Sequence, residues 1–226
     1  MFYYERKFKR LGFSLIAGVD EAGRGPLAGP VVSAAVILKS YHFKNRIDDS
    51  KALSPLERQK AYPEIKEKAF IALGIINEKI VDKINILEAT RLSMKRAIGF
   101  LDPAPEFVLI DGNTGLDINI PFQTIIKGDA KSLSIACASI IAKVTRDRIM
   151  SIYDNLWPEY GFAKHKGYGT ESHRQVLDKI GPSPIHRLTF KYKKNKKEMF
   201  KFEARNPKFE TNSKSEFSNY QNTRWF

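Results

Sequence analysis

Residues 13–19 are almost continuously apolar and stop at two adjacent carboxylates, Asp20 and Glu21. Such a run, followed by a glycine-rich stretch, predicts a buried strand that feeds a turn. Apolar runs at 31–38 and 70–76 predict a second and a third strand, and short connections favour antiparallel neighbours. Between these two, Ser54-Pro55-Leu56-Glu57 places a capping hydroxyl, a first-turn proline and an acid in register, which predicts a helix from there to about Lys68. Over 81–100, Ile84, Leu87, Leu92 and Ile98 recur at mixed helical spacing, before the breakers Asp102, Pro103 and Pro105. A strand at 107–110 ends at Asp111-Gly112-Asn113, and 118–126 allows a further short one. The clearest helix follows: Leu133, Ala136, Cys137, Ile140, Ile141 and Val144 alternate steps of three and four, while Ser132, Ser134, Ala138, Ser139 and Ala142 permit close approach. A last helix is expected over 172–179, before Gly181-Pro182-Ser183-Pro184. Strands followed by mixed helices predict an α/β domain with a mixed sheet.

The pattern changes after Phe190. Residues 191–226 carry eight Lys and two Arg against four Glu, a polar and basic stretch with a net charge of +6 out of the chain's +13. The expected organisation is therefore a folded domain over 1–190 and a basic, flexible tail over 191–226. With 226 residues and 42% hydrophobic composition, the chain can bury an ordinary core, which excludes a disordered polymer for most of its length. The positive charge favours a polyanionic partner, though half of the excess lies in the tail.

The single cysteine, Cys137, cannot form an internal disulfide and sits among Ala136, Ala138 and Ile140, so it is expected as a small buried hydrophobe in a reducing compartment. Residues 1–13 interleave charges with aromatics and offer no apolar core for a signal peptide. No span approaches the roughly 20 apolar residues of a membrane helix. The expected address is the cytoplasm, with no membrane partner.

Acidic residues are usually only solvated, so each candidate needs support from its position. Asp20 and Glu21 follow an apolar strand, but neighbouring strand side chains point to opposite faces, so both can reach one ion only if the strand ends or bulges at Glu21. Taken alone, Asp111 is an ordinary Asp-Gly turn residue and Asp129 an ordinary helix cap. All four nevertheless fall at strand ends or a helix start, where one crevice can collect them. Four carboxylates in one crevice repel each other unless cations neutralise them. Oxygen ligands suit Mg²⁺ or Mn²⁺, and no His/Cys cluster has zinc spacing. The histidines, His42, His165, His173 and His186, are scattered, each more readily structural or solvated than catalytic.

Six stretches, in this order, resemble bacterial ribonuclease HII: Asp20-Glu21-Ala22-Gly23-Arg24-Gly25, Asp49-Ser50-Lys51-Ala52-Leu53-Ser54, Leu109-Ile110-Asp111-Gly112-Asn113, Lys127-Gly128-Asp129-Ala130-Lys131-Ser132, Ala142-Lys143-Val144-Thr145-Arg146-Asp147 and Lys166-Gly167-Tyr168-Gly169-Thr170. The closing Ile185-His186-Arg187-Leu188-Thr189-Phe190 resembles the usual end of the catalytic region. The resemblance implies an RNase H-like fold, with a mixed five-stranded sheet flanked by helices and a C-terminal helical segment. It further implies cleavage of RNA in RNA/DNA hybrids and nicking at ribonucleotides embedded in duplex DNA, by two-metal-ion hydrolysis with Mn²⁺ or Mg²⁺ that leaves 3′-hydroxyl and 5′-phosphate ends. On this resemblance, Asp20, Glu21, Asp111 and Asp129 are the metal-binding catalytic carboxylates. Gly23, Arg24 and Gly25 are the residues that recognise the ribonucleotide, and Tyr168 the ring that packs on the sugar at the RNA-to-DNA junction. Lys51 is a candidate phosphate contact, Lys143 has no assigned role, and a monomer is expected. Two other functions stay open on the residues alone: a DNA nuclease or integrase of the same broad fold, and a noncatalytic basic nucleic-acid-binding protein.

Overall fold

The computed structural model describes residues 1–192. Most of the expected basic tail therefore lies outside the described residues. Five strands form one mixed sheet: β1 (Ile16–Ala22), β2 (Val31–Leu38), β3 (Ala69–Ile76), β4 (Phe107–Asp111) and β5 (Phe122–Ile125), in the order β3-β2-β1-β4-β5. β1 to β3 form antiparallel neighbours, while β4 joins β1 and β5 joins β4 in parallel. The antiparallel expectation for the first three strands holds.

Strand periodicity sorts the sheet's side chains onto two faces. Ala17, Val19, Ala35, Ile37, Val108 and Ile110 pack on one face with Met94, Ala97 and Ile98 of helix α3 (Glu78–Gly99). On the other, Ala34 and Val36 pack with Cys137, Ile140 and Ile141 of α4 (Leu133–Leu156) and with Ile65 of α2 (Pro55–Lys68). Cys137 is fully buried there, as expected of a small hydrophobe. Gly18 explains the closeness of the second layer: a Cβ at this position would lie 2.2 Å from the backbone carbonyl carbon of Ser134. The start of α4 thus rests directly on β1.

The helix starts follow their local chemistry. Ser54 and Glu57 form the expected capping box on α2, and Asn77 and Ser132 accept backbone N–H bonds as caps of α3 and α4. The boundaries differ from expectation in several places. β1 is shifted along the chain to Ile16–Ala22, β5 is shorter than 118–126, and α4 runs on to Leu156. α3 begins at Glu78 and is interrupted at Asn85, whose φ of 66° breaks the helical path and accounts for the mixed spacing of its apolar residues.

Helix α1 (Tyr3–Arg10) was not anticipated, because its charges hide a short apolar face. Phe8 stacks on Phe107 with ring centroids 3.8 Å apart. Buried Glu5 accepts hydrogen bonds from the Ser132 hydroxyl and from the Ser134 backbone and hydroxyl, which fixes the N-terminus of α4. Two short helices, α5 (Phe162–His165) and α6 (Glu171–Ile180), complete the expected C-terminal helical segment. The chain then returns across the glycine-rich loop after β1, where Ala28 bridges His186. Among the described residues no helix is long and apolar enough to cross a membrane.

Candidate active site

Strand register brings the first carboxylates together. Val19 pairs with Ile110 in the parallel β1–β4 ladder, so the next residues, Asp20 and Asp111, leave adjacent strand ends on the α4 face. Asp129 joins them from a short 3-10 turn (Gly128–Ala130) just ahead of α4. Each of the three offers a carboxylate oxygen, and these oxygens lie within 4.8 Å of one another. The Asp111 carboxylate accepts the Gly128 N–H at 2.6 Å, which ties the turn to the strand end. The capping role weighed for Asp129 falls to Ser132, leaving the Asp129 carboxylate in the crevice.

Glu21 borders this trio without being one of its three close oxygen donors. The β1–β2 register continues unbroken through Glu21↔Ser33 and Ala22↔Val32, so no bulge turns Glu21 toward its neighbour's face. Its carboxylate instead meets the Arg24 guanidinium at 3.2 Å. Burial lifts the Glu21 carboxyl above its ordinary pKa, the charge and hydrogen bond of Arg24 oppose the rise, and Asp111 adds to it. A hydrogen bond with the Asp20 side chain also lowers it, so Glu21 is coupled to the trio through both Asp20 and Asp111.

Burial also pushes Asp20 well above the usual carboxylate range, reinforced by the charges of Glu21 and Asp111. A hydrogen bond with Ser139 pulls the other way, and the Ser139 hydroxyl lies 2.8 Å from that of Ser50. Asp129 is raised to about 6, first by burial and then by Asp111 and Asp49. For Lys51 burial opposes the charge, but Asp49, Asp129, Asp20 and Asp111 outweigh it and hold the ammonium above its ordinary value. A buried set of like charges that resist ionisation is a site built for a cation. The observed trio of close oxygen donors, without sulfur or imidazole, fits a hard divalent ion.

The loop that follows β1 is shaped from behind by two arginines whose roles the sequence did not disclose. Gly23, at a φ of 100°, leaves no room for a side chain: a Cβ there would lie 2.3 Å from Arg146 Nε. Arg146, buried in α4, donates to the carbonyls of Ala28, Pro30 and Lys166. Arg187 donates to those of Gly23, Arg24, Pro26 and Gly29. In sequence, the available signal was an arginine inside an otherwise apolar helix and another in the closing stretch. Gly25 and the exposed Arg24 lie on the outer side of this loop, and Tyr168, 44% exposed, stands beside them, with Arg146 beneath its ring at 5.9 Å.

Three of the scattered histidines meet behind Tyr168. The Tyr168 carbonyl accepts from His173 Nδ1, so His173 Nε2 is the acceptor for His186 Nε2–H at 2.9 Å. The Ser183 N–H donates to His186 Nδ1, which completes a chain that requires both rings to be neutral. Burial lowers both to about 4, in agreement with that requirement. Their role here is structural. Lys143 pairs with Asp147 at 2.6 Å and lines a cavity of about 760 Å³ together with Arg58, Arg148, Lys164, Lys166 and Tyr168. None of the four carboxylates lines this basic cavity, which begins at the tyrosine.

Comparison with known proteins agrees with this geometry. Residues 17–193 match the family model described as Ribonuclease HII. Ribonuclease HII of Acetivibrio thermocellus is 53% identical over 191 residues, covering 84% of this chain and 75% of that protein. Ribonuclease HII of Geobacter sulfurreducens is 51% identical, covering 83% of this chain and 87% of its own length. Among solved structures, the RNase HII of the PCNA:RNase HII complex from Archaeoglobus fulgidus superposes with a TM-score of 0.69 at 25% identity, covering 80% of this chain and 98% of that one.

Proposed function

The chain belongs to the ribonuclease HII family of endoribonucleases, and from that premise we propose that it nicks duplex DNA on the 5′ side of an embedded ribonucleotide and cleaves the RNA strand of RNA/DNA hybrids. Membership in an enzyme family removes the noncatalytic binding protein from consideration. The observation that carries the reading is the convergence of Asp20, Asp111 and Asp129 on the α4 face of the sheet, beside a glycine-lined loop and an exposed tyrosine.

Asp20, Asp111 and Asp129 would hold the divalent cations that the family employs, with Glu21 at the margin of the site, and we propose Mg²⁺ or Mn²⁺ as the ion. When bound, such cations lower the pKa of an attacking water and stabilise the charge on the leaving 3′ oxygen. Asp111 is anchored by the Gly128 N–H, which fixes its carboxylate beside Asp20 and Asp129. Ser139 holds Asp20 from within α4, and Glu21 restrains Arg24 through their ion pair. Lys51, facing the same carboxylates, supplies a positive charge beside the phosphate that approaches them.

Ribose is distinguished from deoxyribose by its 2′-hydroxyl, a group that backbone donors at Gly23, Arg24 and Gly25 can meet at close range because two of the three lack a side chain. Tyr168 offers a flat face to the next sugar, where an added hydroxyl packs less well. The basic cavity beyond it suits the backbone of the continuing strand. Mapping the ends of the products on a duplex with one ribonucleotide tests this assignment. A nick immediately 5′ of the ribonucleotide with 3′-hydroxyl and 5′-phosphate ends is expected, and Tyr168→Ala should slow it without moving it. Cleavage on the 3′ side, or ends of the opposite polarity, would refute it.

A further inference from the structure

Arg187 has an unusual set of partners. Its side chain is 2% exposed, yet no carboxylate forms a salt bridge with it among the described residues. Instead Nε donates to Gly29 O at 3.0 Å, Nη1 to Arg24 O and Pro26 O at 3.0 and 2.9 Å, and Nη2 to Gly23 O and Gly29 O at 2.6 and 2.8 Å. These five bonds use all five N–H donors of a guanidinium, and all of them end on one seven-residue loop.

The consequence lies on the other side of the loop. In a trans peptide the C=O and the following N–H point in opposite directions. The peptides after Gly23 and Arg24 are trans. Drawing the Gly23 and Arg24 carbonyls inward onto Arg187 therefore turns the N–H groups of Arg24 and Gly25 outward, toward the exposed face beside Tyr168. A buried cation bonded to the carbonyl end of these peptides also polarises them, which strengthens the outward N–H groups as donors. Neighbouring contacts hold the arginine itself in place. Its own N–H donates to Leu27 O, Gly29 N–H donates to Ile185 O, and Asp82 accepts from the backbones of Leu188 and Thr189 and from the Thr189 hydroxyl.

We propose that Arg187 is a positioning residue for ribose specificity: it sets the orientation of the Gly23-Arg24-Gly25 donors that meet the 2′-hydroxyl, without touching substrate. This inference rests on the ribose-reading role proposed for the loop. Lysine cannot substitute for it, since one ammonium has three donors and no fork to span four carbonyls.

The test measures binding rather than cleavage, in an Asp111→Asn background that prevents turnover. The dissociation constants of a labelled duplex with one ribonucleotide and of its all-DNA counterpart are compared. With Arg187→Lys the preference for the ribonucleotide is expected to fall roughly tenfold, as suits the loss of one or two oriented donors, while all-DNA affinity stays constant. Asp82→Ala, which frees the segment but keeps the guanidinium, should lower the preference in the same direction by less. If Arg187→Lys fails to fold, Asp82→Ala decides alone. Equal weakening for both duplexes, or an unchanged preference in a folded variant, overturns the proposal and leaves Arg187 a structural staple. Absence of any preference in the Asp111→Asn parent is a different failure, that of the ribose reading itself.

Discussion

At the scale of single residues, the site is a problem in charge. Asp129 titrates near 6 and Asp20 higher than an ordinary carboxylate because burial and like charges oppose ionisation. A carboxyl raised in the folded state binds more protons than in the unfolded chain. Its contribution to stability is therefore present at low pH and lost as pH rises through the folded value. A divalent ion reverses the loss by binding the ionised form. Added Mn²⁺ should accordingly raise the melting temperature strongly at pH 7 and little at pH 5, and an equal shift at both would contradict the raised values. Ser139→Ala, which removes a hydrogen bond from Asp20 without touching the remaining carboxylates, is expected to weaken metal binding by about 10- to 100-fold in titration calorimetry. Unchanged affinity would show that Ser139 is not needed to orient Asp20.

At the scale of elements, close backbone approach and buried hydrogen bonding place these residues. Gly18→Ala would force a methyl group into the start of α4, displacing the helix that carries Ser139 and follows Asp129. A loss of roughly 1–3 kcal/mol is expected in denaturant unfolding, with metal affinity reduced in parallel. The neutral pair His173–His186 makes the opposite kind of statement. Each is held at about 4 by burial, so its contribution to stability is complete above the unfolded value and is lost as pH falls from about 6.5 toward 4. Replacing both by Gln should flatten the acid side of the stability profile by roughly 3–4 kcal/mol between pH 7 and pH 5, about half from each ring, relative to the parent.

These elements were unequally legible in the sequence. Strands with near-continuous apolar runs, the Ser54 capping box and the three-and-four rhythm of α4 declare themselves locally, and the four acids stand at their ends. α1 did not, because its holding contact is a buried Glu5 paired with serines at sequence distance 127 and 129. Arg146, Arg187 and the histidine chain escaped a functional reading for the same reason: their partners are backbone carbonyls and rings from remote segments. The separation of Glu21 from the aspartate trio was half legible, since strand alternation predicts it unless a bulge intervenes, and none does.

At the scale of the whole molecule, the acidic crevice and the basic cavity divide the work of binding a polyanion. On the proposed function, the carboxylates need cations before a phosphate can approach, whereas Arg58, Lys143, Arg148, Lys164 and Lys166, which line the cavity, would attract it directly. Neutralising two exposed members, Arg148→Ala with Lys164→Ala, should raise KM and shallow its salt dependence by about one to two counterions, with kcat little changed. A fall in kcat instead would place these residues in the chemistry. On the proposed function, one face of the sheet joins cation-dependent hydrolysis to recognition of ribose. The most direct measurement is the cleavage rate on matched duplexes with and without a single ribonucleotide, with and without Mg²⁺ or Mn²⁺, for the wild type and Asp111→Asn. Cutting is expected only where ion, ribonucleotide and Asp111 are all present, with Asp111→Asn slower by roughly 100-fold or more. Equal cutting of the all-DNA duplex, or no cutting by folded wild type with either ion, would contradict it.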